Sequence, residues 1–140
     1  MPTDVKIAQE APVQQQSTSE DGKIFAAISY VFGLLIAIII YLLKKEDRYV
    51  RFHAAQAILF DICVMVISVV LAVAMIAIFF VVGIATGGIG FILFPILWLG
   101  MIGYAFILLL ARLYFAYQAY KGKEFQLPII GPQAAKMASG

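Results

Sequence analysis

The chain has 140 residues, of which 64% are apolar and 13% charged, about half the charged share of an ordinary soluble domain. Its formal net charge is +2, and it contains one histidine and one cysteine. This composition excludes most soluble folds, and the basic residues form no aromatic-interleaved stripe, so no nucleic acid is expected as a partner.

Residues 1–23 contain Pro2, Pro12, the run Gln14-Gln15-Gln16 and alternating small polar residues. Such a segment buries too little apolar surface to offset the entropy of ordering, so it is expected to be a disordered polar tail. It also lacks the basic start and apolar stretch of a cleaved signal peptide, so the first apolar segment is expected to stay in the mature protein.

Residues 24–43 carry no charge and are bracketed by Lys23 and by Lys44-Lys45. Twenty helical residues match a hydrocarbon core of about 30 Å, which makes this the first expected span. The connection that follows is short and net basic. Arg48, Arg51, His53 and Gln56, with Tyr49 and Phe52 among them, read as an interfacial loop that anchors at headgroup level.

The second apolar segment, residues 54–86, would be roughly 50 Å long as a helix. Residues 62–82 contain no Gly, Pro, Asn or Asp to form a hairpin, so one long tilted helix is expected. Gly87-Gly88-Ile89-Gly90 is the strongest break in the apolar region. The third helix is expected over residues 91–120, with Pro95 and Trp98 near its start and Tyr114, Tyr117 and Tyr120 near its end.

The expected fold class is therefore all-α, a polytopic membrane helical bundle of three transmembrane helices spanning residues 24–120. Residues 121–140 are expected as a C-terminal tail at the membrane surface, with an apolar patch at 127–130. The first loop and this tail are basic and the N-terminal tail is acidic. Cationic loops are retained in the cytoplasm, which places the N-terminus outside and the C-terminus inside the cell membrane.

Three separated stretches resemble a family of small, uncharacterised prokaryotic multi-pass membrane proteins. They are Ile28-Ser29-Tyr30, the stretch Arg51-Phe52-His53-Ala54-Ala55-Gln56-Ala57, and Ala119-Tyr120-Lys121-Gly122-Lys123-Glu124-Phe125-Gln126-Leu127-Pro128. The family is distantly similar to a small membrane subunit of the chloroplast inner-envelope import translocon. The resemblance implies a fold and a cell-membrane location, with no activity to carry over.

Chemistry-bearing residues are few. His53 and Gln56 stand one helical turn apart and could share a hydrogen-bonded site, but with Glu46 and Asp47 they make no recognised metal spacing. Cys63 reads as a small apolar residue. Gly83 and Gly87 allow either a close helix contact or fraying into the following turn. Neither a nucleophile–base arrangement nor a phosphate loop is present, so no catalytic, metal or cofactor site and no enzyme is expected.

Asp61 and Arg112 are the only charges within the second and third apolar segments. Asp61 lies ten residues after Arg51 and Arg112 nine before Lys121, so both sit roughly 13–15 Å from the same charged surface. Antiparallel helices would bring them to one level, and they are expected to pair there. Ala105, Ala116 and Ala119 form a low-relief face beside Arg112, expected to receive the second helix. The expected function is that of a structural or assembly component in the lipid bilayer, as a homo-oligomer or with a larger membrane-protein partner. The alternative is a channel-forming or translocon-like subunit acting as an oligomer.

Overall fold

A computed structural model describes residues 19–140, so most of the expected disordered tail lies outside the described residues. Among those described, every regular element is helical: α1 (Glu20–Val31), α2 (Leu34–Leu43), α3 (Arg48–Ala85), a 3-10 turn (Ile89–Leu93), α4 (Phe94–Tyr120) and α5 (Ile130–Ser139).

The first apolar segment is two helices, where one continuous span was expected. Ser19 caps α1, its hydroxyl accepting from the Gly22 amide at 3.1 Å, and Glu20 and Asp21 complement the positive helix start. The chain then breaks at Phe32-Gly33, where Gly33 takes φ +82°, a conformation that costs other residues strain. Apolar composition and length had suggested one helix. A single glycine with positive φ is enough to reverse direction.

The reversal folds α2 back beside α1. Lys44, just past α2, places its Nζ 4.3 Å from the centre of the Phe25 ring near the start of α1. Ser19 and Gly22 face Leu43, Lys44 and Asp47 across a polar hollow. The first described residue therefore lies at the same end of the molecule as the first loop. In the expected three-span layout these two would lie on opposite sides.

Asp47 caps α3, accepting from the Val50 amide at 3.2 Å, so this helix starts six residues earlier than the expected 54. It has 38 residues and runs about 57 Å without interruption. Its end is shaped by glycine. A Cβ at Gly83 would lie 2.3 Å from Phe91, and one at Gly90 would lie 2.7 Å from Val82. Gly83 thus makes room for the returning chain of its own turn, and Gly87 and Gly88 adopt φ of +61° and +99°.

Pro95 then sits in the first turn of α4, where its missing amide hydrogen costs nothing. Both long helices are long and apolar enough to cross a membrane, whereas α2 is shorter.

α1 lies against both α3 and α4, while α2 and α5 pack on α3. Ala26 and Tyr30 of α1 share a core with Ala116 and Ala119, so the low-relief face of α4 receives α1, where α3 had been expected. Ala105, further along, is exposed. α3 and α4 stand apart and meet through long side chains, such as Ser68 with Tyr104 at 3.1 Å. The segment expected as a C-terminal tail at the membrane surface contains α5, whose Ala134 and Ala138 pack on Phe52 and Ala55.

Candidate functional site

The chain buries His53 and Gln56 completely, although both were expected in an interfacial loop. The reason is the early start of α3: once Asp47 caps the helix, residues 49–58 form its first packed turns and face α1, α2 and α5. A buried polar group must find hydrogen bonds inside the protein, and these two side chains find most of theirs.

Gln56 is the hub. Its Oε1 accepts from the Leu127 amide at 3.1 Å, and its Nε2 donates to the Phe125 carbonyl at 3.3 Å and to the Tyr30 hydroxyl at 2.9 Å. Since the Tyr30 oxygen accepts from Gln56, its own hydrogen is free for His53 Nδ1, 3.1 Å away. Nδ1 is then an acceptor, which places the proton of a neutral imidazole on Nε2. Nε2 is buried with only a loose backbone contact with Lys123.

Aromatic rings enclose the imidazole. Tyr49, Phe52, Phe125 and Tyr30 have centroids 4.5, 5.2, 5.4 and 5.9 Å from it. Tyr49 also donates from its hydroxyl to the Ala119 carbonyl at 2.5 Å, fastening the start of α3 to the end of α4.

One layer deeper, the Arg112 guanidinium pairs with the Asp61 carboxylate. Arg112 Nη1 donates to the Tyr30 carbonyl at 3.3 Å, so this ion pair also touches the end of α1. Asp61 is 6% exposed and its Oδ2 has no hydrogen-bond partner. That oxygen faces Gly33: a Cβ at Gly33 would lie 3.8 Å from it and 3.9 Å from Arg112 Nη1.

The two interfacial arginines hold the C-terminal segment. Arg51 Nη2 donates to the Tyr41 hydroxyl at 3.2 Å and to the Gly140 carbonyl at 3.3 Å, and Tyr41 donates to the Met137 carbonyl at 2.9 Å. Arg48 lies near Glu124 in the segment after α4. Burial raises the Glu124 carboxyl above its ordinary range, and Arg48 partly opposes that shift.

Tyr30, Tyr49, Phe125 and the Leu127 amide belong to this site and were not singled out from the sequence as site residues. Their signal was present in another form. Ile28-Ser29-Tyr30, the stretch from Arg51 to Ala57, and Phe125-Gln126-Leu127 lie far apart in the chain and converge here. The arrangement joins four segments by short hydrogen bonds. No group of three or more His, Cys, Asp or Glu side chains among the described residues is placed to hold a metal ion, and Cys63 is exposed.

Residues 21–133 match the magnetosome magnetite crystal formation protein family, and the chain belongs to that family. It is 34% identical over 112 residues to a UPF0132 membrane protein of Methanocaldococcus jannaschii, covering 79% of this chain and 83% of the relative. It is 30% identical over 114 residues to a UPF0132 membrane protein of Archaeoglobus fulgidus, covering 81% and 92%. No solved structure matches the chain. The protein is a transmembrane member of an uncharacterised prokaryotic family.

Proposed function

We propose that this family member is a non-enzymatic structural or assembly component of its membrane, which gathers a larger membrane-protein partner on the apolar faces of α3 and α4. The observation that carries this reading is the groove between those helices. It holds about 280 Å³ and is lined by Met75, Ile76, Phe79, Phe94, Leu97 and Trp98, among other apolar side chains. The buried polar side chains, by contrast, serve mainly to fasten this chain to itself.

The family description names magnetite crystal formation in the magnetosome. Gathering partner proteins in a membrane is the contribution to such a process that this geometry supports. A competing reading is a channel-forming or translocon-like subunit acting as a homo-oligomer, and the charged pair Asp61–Arg112 set among apolar helices favours it.

Affinity capture from native membranes in mild detergent tests the proposal. A stoichiometric partner is expected. Ala72 also lines the groove, and the bulky side chain introduced by Ala72→Trp should release that partner while leaving the chain folded. A homo-oligomer that conducts ions or solutes in liposomes, with no such partner, would overturn it.

A further inference from the structure

We infer that α1 and α2 form a re-entrant hairpin, which enters the membrane from the face that carries α5, turns at Phe32-Gly33 and returns to that face, with Arg112 tethering the tip. This stands independently of the assembly reading. Its first support is length. Helices of 12 and 10 residues rise about 18 and 15 Å, roughly half of a hydrocarbon core.

The second support is where the ends lie. The start of α1 and the end of α2 share one polar hollow, and the tip between them rests on Asp61 and Arg112. Asp61 is about 15 Å along α3 from Arg51, which agrees with the reach of the hairpin arms. The third support is the surface the hairpin presents. Phe32, Leu35, Leu42 and Leu43 are each 54–75% exposed, a surface suited to acyl chains.

A helix that stops inside hydrocarbon leaves its last carbonyls without water, so a donor from elsewhere must reach them. Arg112 meets that need. Its Nη1 donates to the Tyr30 carbonyl, its positive charge faces the negative end of α1, and Asp61 balances the charge. The intramembrane arginine is thus accounted for as a cap on a buried helix end.

Charge supplies the orientation. Every described lysine and arginine other than Arg112 lies at the end where the hairpin opens, and residues 62–111 carry no charge. By the preference of cationic segments for the cytoplasm, the hairpin opening and α5 both face the cytoplasm, α3 and α4 cross, and the glycine turn faces outward.

The test uses a Cys63→Ala background, single cysteines in place of Glu20, Lys45, Ser139, Ala85 or Leu35, and an impermeant thiol reagent on intact and permeabilised cells. Ala85→Cys should react in intact cells. Glu20→Cys, Lys45→Cys and Ser139→Cys should react only after permeabilisation, and Leu35→Cys in neither state. Reaction of Glu20→Cys from outside with Lys45→Cys protected would overturn the hairpin in favour of a single crossing. Reaction of Leu35→Cys would place the hairpin outside the membrane and overturn it equally, and reversal of the other four would overturn the cytoplasmic assignment.

The tether has its own readout. In the Leu35→Cys protein, Arg112→Leu should abolish protection, whereas Asp61→Asn, which leaves the Tyr30 contact in place, should retain it. Continued protection with Arg112→Leu would remove the tether.

Discussion

The two ends of this molecule are held together by different physics. At the charged end, four segments converge on Tyr30, His53, Gln56, Asp61 and Arg112, and polar side chains fasten helices to neighbouring backbone. At the far end, α3 and α4 run on alone, joined by a glycine turn and touching through aromatic rings such as Phe79 and Phe94, 5.3 Å apart. Inside a membrane, apolar contact between helices competes with equally apolar lipid, so hydrogen bonds and ion pairs carry the helix-to-helix specificity. The polar end is therefore the folded core, and the apolar end is a surface available to lipid or partners.

The sharpest way to break this contrast is at the ion pair. Arg112→Ala leaves a buried carboxylate and a helix end without their donor, and should cost about 3–5 kcal/mol. Asp61→Ala should cost less, because Arg112 keeps the Tyr30 carbonyl. If the two groups are coupled, the double substitution loses less than the sum of the single ones, measured as folded fraction across a denaturant series in mild detergent.

A direct comparison of the two ends comes next. Gln56→Leu removes three hydrogen bonds and strands the Leu127 amide, for an expected loss of about 3 kcal/mol. Leu99→Ala, at a position 72% exposed on α4, should stay within about 0.5 kcal/mol. Equal losses at the two positions would erase the distinction between core and surface.

The smallest effect concerns Glu124, whose carboxyl is raised by burial. A raised carboxyl contributes stability that is fully present below the ordinary carboxylate range and is lost as pH rises through the shifted value. Ionised Glu124 therefore weighs slightly against the folded state at neutral pH. Glu124→Gln should flatten the pH dependence in the weakly acidic range and raise neutral-pH stability by less than about 1 kcal/mol, as read from unfolding midpoints at several pH values.

Much of this architecture was legible in residue order. The unbroken run from residue 62 to 82 predicted one long α3, and the cluster around Gly87 predicted its end. Residue counting alone set Asp61 and Arg112 at matching depths, and the structure places them side by side. The break at Gly33 was less legible, because a lone glycine in an apolar run is compatible with a continuous helix as well as with a reversal. His53 and Gln56 misled for a related reason. Polar residues beside arginines look interfacial until the helices that cover them are in place.

By itself, the sequence determined the solvent and the secondary structure: its apolar share and sparse charge point to a membrane, where backbone groups must be satisfied internally, and long uninterrupted apolar runs meet that need as helices. Tertiary structure decided the direction of the first segment and the partners of the buried polar groups. The helix that ends at Val31 is held through its Tyr30 carbonyl by an arginine 82 positions away, and Gln56 reaches a carbonyl 69 positions and an amide 71 positions further along. Hydrogen bonds are short-ranged and directional, so their partners are defined only once the chain has brought these distant positions within about 3 Å of one another.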